Sequence, residues 1–240
     1  MKNTTLFAFL LFALVSCNFV GGKRVKGNGN IRTEERKVSS FNEVEVHGAI
    51  KLYVSQGDLK PVKIEADENL MQYVVVEQDG DRLTVKPRDG FNLQASDEMK
   101  VYVTSPVFKS IDVSGACDIL GQTKIDQRER MNLHVSGAGQ INMNVHTPEV
   151  EAQISGSGTV RLKGETKKFD LGLSGAAKAL CYDLLSENTR VDISGAGDAE
   201  VYASEKLDAE VSGAGNVSYK GDAPEVNQKV SGAGSVNKKD

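Results

Sequence analysis

The sequence has no tryptophan, few aromatic residues, and no excess of charge of either sign. Aromatic residues make up 6% of the 240 residues, which leaves little material for a cleft that stacks sugars on aromatic rings. The 29 basic and 33 acidic side chains give a net charge of −4, and the scattered Lys and Arg residues provide no electrostatic footprint for nucleic acid. The long apolar run over residues 6–17 has twelve residues, too few to span a bilayer. Nucleic acid is therefore not an expected partner.

The N-terminus predicts a secretory signal peptide over residues 1–16. Lys2 precedes the apolar run, and a short basic region followed by such a run is typical of signal peptides. Leu14-Val15-Ser16-Cys17 resembles the lipobox of bacterial lipoproteins, in which the peptidase cuts before the cysteine and the new N-terminus is acylated. We therefore expect lipidation at Cys17, a membrane partner through that anchor, and a location in the cell envelope, on either face of the outer membrane. Residues 17–30, rich in Gly, Asn and Lys, are expected to form the lipidated tether.

The motif Ser-Gly-(Ala/Ser)-x occurs seven times in the C-terminal half, each time between runs of alternating apolar residues. Successive copies begin 22, 19, 19, 20, 18 and 19 residues apart. A period near twenty with strand-like alternation is typical of a solenoid, in which one repeat cannot bury its apolar face alone. We predict an all-β fold, a single-stranded parallel β-helix of rungs of about 19 residues over residues 31–240, with little helix after residue 25.

Each repeat keeps the parity of its apolar residues through the motif. In the second copy Val135, Gly137 and Gly139 all have odd numbers. Because side chains alternate between the faces of a strand, both glycine positions are predicted to face the core, and Ser and Ala to face outward. The motif is expected to form a bent strand or a tight corner.

The two glycine positions differ in what they tolerate. The second is occupied by Cys117 in one copy and by Ala177 in another, so it is predicted to need only a small residue. The first is always glycine and is predicted to need glycine's backbone freedom or its lack of volume. The structural corner glycines are Gly115, Gly137, Gly156, Gly175, Gly195, Gly213 and Gly232.

In-register stacking of these rungs predicts apolar columns. The column before the motif is Val113, Val135, Ile154, Leu173, Ile193, Val211 and Val230. The column after it is Ile119, Ile141, Val160, Ala179, Ala199, Val217 and Val236. Cys117 and Cys181 face inward three repeats apart and in different columns, beyond the Cα separation of about 7 Å that a disulfide allows. We predict two free, buried thiols.

The ends of the array are less regular. A degenerate copy of the motif surrounds Gly48, and the 67 residues from there to Gly115 are expected to hold three or four less regular turns. At the other end, Lys238 and Lys239 are expected to protect the last strand from edge pairing.

Residues 27–238 resemble the head-GIN-domain family of auto-transporter-type adhesins, found as lipoproteins in Bacteroidetes-like bacteria. The matching segments are KGNGNIRTEERKVSSFNEVEVHGAIKLYVSQGD, VKIEADENLMQYV, KVYVTSP and the serial SGAG elements. The resemblance implies a right-handed β-helix anchored in the envelope, and it supplies no catalytic residues.

The histidines and acidic residues show no metal-ligand pattern. His47, His134 and His146 lack the spacing of a metal site. His134 falls in an outward column of varied residues and is expected to be solvated. In the same column Asp192 and Glu210 fall on adjacent rungs, where two carboxylates could hold a cation weakly.

Ser174 lies in a segment, Gly172–Ala176, that partly matches a nucleophile elbow. That motif also needs a final glycine and a strand-to-helix turn, so an outward ladder of serines is favoured instead. We predict a non-enzymatic adhesin-like or scaffolding module, without cofactor, metal or catalytic residues, whose ligand is a protein or a glycan. The alternative is a β-helical polysaccharide lyase or glycoside hydrolase, by fold analogy. Such an enzyme requires clustered carboxylates beside exposed aromatic rings.

Overall fold

The computed structural model describes residues 22–240. The predicted signal peptide and Cys17 lie outside the described residues. The N-terminal strands are β1 Lys23–Lys26, β2 Ile31–Arg36, β3 Glu43–Gly48, β4 Lys51–Gln56, β5 Val62–Asp67, β6 Val74–Asp79, β7 Arg82–Pro87, β8 Phe91–Gln94 and β9 Lys100–Ser105. The remaining strands are β10 Ser110–Gly115, β11 Asp118–Asp126, β12 Met131–Gly137, β13 Gln140–Gly156, β14 Thr159–Gly175, β15 Lys178–Leu180, β16 Leu184–Gly195, β17 Asp198–Tyr202, β18 Lys206–Gly213, β19 Asn216–Lys220, β20 Glu225–Gly232 and β21 Ser235–Lys238.

The strands from β10 onward form a parallel β-solenoid, as predicted. Each rung pairs in parallel with the next, so that Val135 lies between Val113 and Ile154. Both predicted apolar columns are buried, except in the last rung, where Val230 is 41% exposed and Val236 is half-buried. The alternation seen in the sequence therefore builds one continuous core of stacked aliphatic side chains.

The corner of each rung corrects one prediction. The first-position glycines have φ between 100° and 129° and are exposed or half-buried, so they do not face the core. A Cβ on Gly195 would lie 2.5 Å from the carbonyl oxygen of Gly175 in the preceding rung. Parity failed here because face alternation holds only for extended backbone, and a positive φ interrupts it for one residue. The second position is buried throughout the interior rungs, where Cys117 and Ala177 replace glycine.

Backbone hydrogen bonds explain why the corners stack so closely. The carbonyl oxygen of every first-position glycine except Gly232, in the last rung, accepts a hydrogen bond from the residue after the next rung's glycine, for example from Ala196 N to Gly175 O at 2.8 Å. This close approach leaves no space for a side chain on the α-carbon of the next rung's corner glycine. The corner glycines form one in-register column that begins at Gly48, beside Gly115.

A column of hydroxyl side chains crosses β13, β14 and β16 away from the corners. Thr147, Thr166 and Ser186 occupy one column and are buried. The hydroxyl of Thr147 donates to Glu149 O at 3.0 Å, and that of Thr166 donates to Lys168 O at 3.1 Å. These bonds satisfy a buried polar group and a carbonyl at the same time.

The segment between Gly48 and Gly115 does not form three or four further turns. It contributes one more rung, in which β7 pairs with β3 and β9 pairs with β4 in parallel. The antiparallel strands β2, β5 and β6 pair at this end, and together with β1 and β8 they form what we call the cap. Antiparallel pairing gives no repeat in the sequence, which is why the motif count could not reveal it.

The predicted tether is also shorter than expected. β1 pairs in parallel with β8, so Lys23–Lys26 belong to the cap. The buried carboxylate of Asp67 accepts hydrogen bonds from Gly29 N at 2.7 Å, Ser96 N at 2.9 Å and Ser96 Oγ at 2.6 Å. Although burial disfavours its charge, these hydrogen bonds hold the pKa of Asp67 below its usual value. The N-terminal segment is thereby fixed to two cap loops.

Two further predictions are confirmed. Cys117 and Cys181 are free and buried, and burial raises both pKa values, that of Cys181 to about 12. Helix among the described residues is limited to the 3₁₀ turn Met71–Tyr73. Over residues 22–240 there is accordingly no helix with the length and apolarity to cross a membrane.

Candidate functional site

A shallow groove of about 510 Å³ runs along the outer face of the solenoid, across the strands that lead into the corners. We call it the serine groove. One wall is the serine column: His47, Ser114, Ser136, Ser155, Ser174 and Ser194. The other wall is the variable column: Glu45, Asp112, His134, Gln153, Gly172 and Asp192. Val113, Val135, Ile154 and Leu173 also line it.

The walls repeat with the spacing of the rungs. Both columns cross six rungs from β3 to β16, and parallel strands are about 4.8 Å apart, so the groove is about 24 Å long. Gly172, the fifth of the six members of the variable column, has no side chain, and a Cβ there would meet Gln153 Oε1 at 1.9 Å. The Gln153 side chain therefore extends over Gly172 and takes up the space that a side chain there would occupy.

Two histidines in the groove are held by carboxylates. His134 Nδ1 lies 2.7 Å from Asp112 Oδ1, whose other oxygen accepts a hydrogen bond from Ser110 Oγ at 2.9 Å. His47 Nε2 lies 3.0 Å from Glu45 Oε1. A neutral imidazole that donates through one nitrogen can accept through the other. The groove therefore presents hydroxyl, imidazole, amide and carboxylate groups that can both donate and accept.

The His134–Asp112 pair resembles the orienting half of a serine nucleophile system. Completing it would require a serine hydroxyl within hydrogen-bond distance of the free imidazole nitrogen. Within residues 22–240 no serine forms that hydrogen bond, and Ser174 is one of seven equivalent serines, five in the wall and two, Ser212 and Ser231, in its continuation. The arrangement provides polar contacts along a surface without an assembled nucleophile.

A ladder of ion pairs lies beside the groove and differs from it in charge. Lys168 Nζ contacts Glu149 at 3.4 Å and Asp170 at 2.6 Å, and Lys206 contacts Asp208 at 3.4 Å. These side chains neutralise one another across and along the rungs. No lysine or arginine lines the serine groove, whose ionisable side chains are carboxylates and histidines.

The pair of carboxylates considered for a cation is placed as predicted but is already compensated. Asp192 and Glu210 are neighbours on adjacent rungs. Arg190 Nε donates to Asp192 at 2.9 Å, and Lys229 Nζ donates to Glu210 at 2.6 Å, which lowers the pKa of Glu210. No group of three or more His, Cys, Asp or Glu side chains in the described part of the chain could hold a metal ion.

The third histidine, His146, lies next to the hydroxyl column and outside the serine groove. His146 Nδ1 lies 3.2 Å from Asp126 Oδ2, and its Nε2 lies 3.9 Å from Glu165 Oε2. The imidazole is thus bracketed by acidic residues of the two adjacent rungs. These contacts join neighbouring side chains of one column, and no ligand is needed to explain them.

The stacked tyrosine side chains lie outside the serine groove. Tyr53 and Tyr102 stack with ring centroids 4.6 Å apart, and Lys63 Nζ lies 4.0 Å from the Tyr102 centroid. One face of the Tyr102 ring is therefore occupied by its partner and the other by a cation. No Tyr or Phe lines the serine groove.

Sequence reasoning found the two columns but interpreted the variable one as a plain solvated face. The concavity depends on how the strand bends into the corner, which residue parity does not encode. The sequence contained one signal of the groove, because Gly172 is the only glycine in its column. Its φ is not positive, so the backbone conformation does not require glycine there.

Comparison with known proteins places the molecule in a family. The family model described as "Putative auto-transporter adhesin, head GIN domain" matches residues 40–223. Comparison with curated proteins gave no match.

Three solved structures share the architecture. A "putative adhesin" from Bacteroides fragilis superposes with a TM-score of 0.85 at 22% identity, over 90% of this chain and 100% of that one. A "putative lipid binding protein" from Parabacteroides distasonis gives 0.73 at 23% identity, over 91% and 100%. A "putative adhesin" from Parabacteroides distasonis gives 0.69 at 26% identity, over 90% and 100%. With the fold shared and the model match covering most of the solenoid, this chain belongs to the head-GIN-domain family.

Proposed function

We propose that this protein is a non-enzymatic binding module of the cell envelope that holds an extended glycan strand in the serine groove. The observation that carries the proposal is the groove itself, about 24 Å of hydrogen-bonding groups repeated at the rung spacing. Its polar walls suit the hydroxyl edges of sugar units. Backbone lies between the walls, because the side chains of Val113, Val135, Ile154 and Leu173 belong to the core and are at most 4% exposed. Specific binding sites fix a ligand through a small number of placed polar groups.

The alternative, a polysaccharide-processing enzyme, has less support. Glu45 and Asp112 lie on adjacent rungs of the groove, but each is already engaged by a histidine. The lining includes no Tyr, Phe or Trp ring on which a sugar could stack. Incubation of any bound glycan with the protein should therefore leave its chain length unchanged, and the appearance of shorter products would favour the enzyme.

Attachment to the membrane belongs to the same proposal and is supported by the sequence around Cys17. Palmitate fed to the source cells should be incorporated into the wild-type protein and not into a Cys17→Ala variant. Absence of label from the wild-type protein would contradict the lipid anchor while leaving the binding proposal intact.

The groove can be tested with one substitution that fills it. Gly172→Arg displaces the flexible end of the Gln153 side chain and places a long cation in the variable column, where no positive φ makes a side chain unfavourable. Residues 18–240 would be applied to an array of glycans, proteins and phospholipids, the last because one similar structure is described as a lipid binding protein. We expect a glycan signal that Gly172→Arg removes.

The matched control is Ser157→Arg, which adds the same side chain at an exposed corner position outside the groove. Equal loss of binding in both variants would contradict the proposal, as would unchanged binding in Gly172→Arg. A protein or phospholipid signal lost only in Gly172→Arg would keep the groove and reject the glycan.

A further inference from the structure

The outward face of the two-stranded β1–β8 sheet carries cations and no carboxylate. Arg24 lies beside Asn92, and Lys26 lies beside Gln94, in parallel register, and all four side chains are exposed. The opposite face is apolar, because Val25 and Leu93 pack against the core. The sheet is thus amphipathic, with its basic side toward solvent.

The basic charges of β1 are not neutralised by the fold. By strand alternation Lys23 falls on the side of Val25, but it begins the strand and is exposed, so its long side chain can reach the same surface as Arg24 and Lys26. Over residues 22–240 no carboxylate oxygen lies within 4.0 Å of the charged groups of Lys23, Arg24 or Lys26. This contrasts with the ion-pair ladder beside the serine groove, where Lys168 and Lys206 each contact two carboxylates.

The position of this face relative to the predicted anchor is fixed by the chain. Lys23 follows Cys17 by six residues, and six extended residues span at most about 22 Å. A chain held at Cys17 therefore keeps the cap close to the bilayer surface. The last rung, formed by β20 and β21, lies at the other end of the stack.

We propose that the cationic face of β1 docks onto anionic lipid headgroups and sets the solenoid upright, with the cap against the membrane. This inference rests on the proposed anchoring at Cys17. Each basic side chain near an anionic surface favours the docked state by about fivefold. Three such side chains suffice because the tether replaces a bimolecular encounter with a high effective concentration.

The test supplies the tether chemically, so that its outcome does not depend on natural acylation. The mature chain, residues 17–240, would be coupled through Cys17 to maleimide lipid in vesicles of phosphatidylcholine, with or without phosphatidylglycerol. Cys117 and Cys181 are buried and leave Cys17 as the reactive thiol. Because the chain has no tryptophan, Asn92→Trp gives a single fluorescent reporter on the cap, and Asn237→Trp gives one on the last rung.

Quenching by a headgroup spin label reports how close each tryptophan lies to the surface. We expect phosphatidylglycerol to increase quenching of Asn92→Trp at least twofold and to leave Asn237→Trp unchanged. Changing Lys23, Arg24 and Lys26 together to Gln should remove the increase. The same change at Arg161, Lys163 and Lys178, which are exposed in β14 and β15 outside the cap, should preserve it.

Salt provides a check that needs no charge variant. Raising the salt from 0.1 M to 1 M shortens the Debye length from about 10 Å to about 3 Å, so the increase in quenching should disappear. Quenching that is independent of phosphatidylglycerol, or an increase that survives the triple change or 1 M salt, would overturn the docking proposal. Failure of palmitate labelling at Cys17 would instead overturn only the anchor.

Discussion

Replacing Gly195 with alanine should disrupt the corner of its rung through two separate effects. Its φ of 126° lies well beyond the left-handed helical region and is strongly unfavourable for a residue with a side chain, at a cost of about 1–3 kcal/mol. The added Cβ would also lie 2.5 Å from Gly175 O and 3.1 Å from Gly175 N. These are backbone atoms of the preceding rung, so relief requires separating the rungs, at a further cost of about 1–3 kcal/mol.

The combined destabilisation is expected to be about 4 kcal/mol, from the sum of these two effects. For a chain of this size that corresponds to a fall in the melting temperature of roughly 8–16 °C. Thermal and urea unfolding followed by circular dichroism measure it. Hydrogen exchange should show lost protection first in β14, β16 and β18, which meet at this corner.

Two controls separate the two effects. Gly90→Ala has a positive φ of 82° but no atom within 4 Å of the new Cβ, so it should cost only about 1–2 kcal/mol. Ser194→Ala, at an exposed site next to the corner, should change stability by less than about 0.5 kcal/mol. If Gly195→Ala melts with the wild-type protein, the corner does not require glycine and this reasoning is refuted.

Three further predictions concern the cap and the core. The folded pKa of Asp67 is lowered, so its ionised form stabilises the fold at pH values above the unfolded pKa near 3.9, and this stability is lost as pH falls through the folded pKa. Asp67→Asn should lack this acid-dependent loss of stability. Parallel plots of stability against pH for the two proteins would contradict the prediction. Cys117 and Cys181, both buried with raised pKa values, should react with a thiol reagent only after denaturation, and rapid labelling of the native protein would show the rungs are open. Val211→Ala should lower the free energy of unfolding by about 2 kcal/mol. Val230→Ala, in the same column but 41% exposed, should lower it by well under half as much. Equal effects would mean that the last rung is covered.

The interior of the solenoid could be predicted because its information is local and periodic. Valine, isoleucine and leucine at alternate positions, repeated every rung, determine both the face of each strand and the register between strands. The column through Val135 and Ile154 follows directly from that pattern. The same reasoning placed both buried cysteines.

Features that depend on backbone dihedrals or on distant pairing could not be predicted in this way. The direction of Gly137 was wrong because parity carries no information about φ. The cap was missed because the antiparallel pairs of β5 with β2 and β9 involve segments without a repeat. The groove required the bend before each corner, and its single sequence signal was the unexplained glycine at position 172.

The in-register stack is the basis of both the groove and the corner argument, and a distance along it tests the account most directly. Spin labels at Ser114 and Ser212, introduced as cysteines, lie five rung intervals apart in the serine column. At about 4.8 Å for each interval their backbones should be about 24 Å apart. A double electron–electron resonance distribution centred near that value, allowing for the label linkers, is the predicted result. A broad distribution, or a centre displaced by several rungs, would contradict the parallel register.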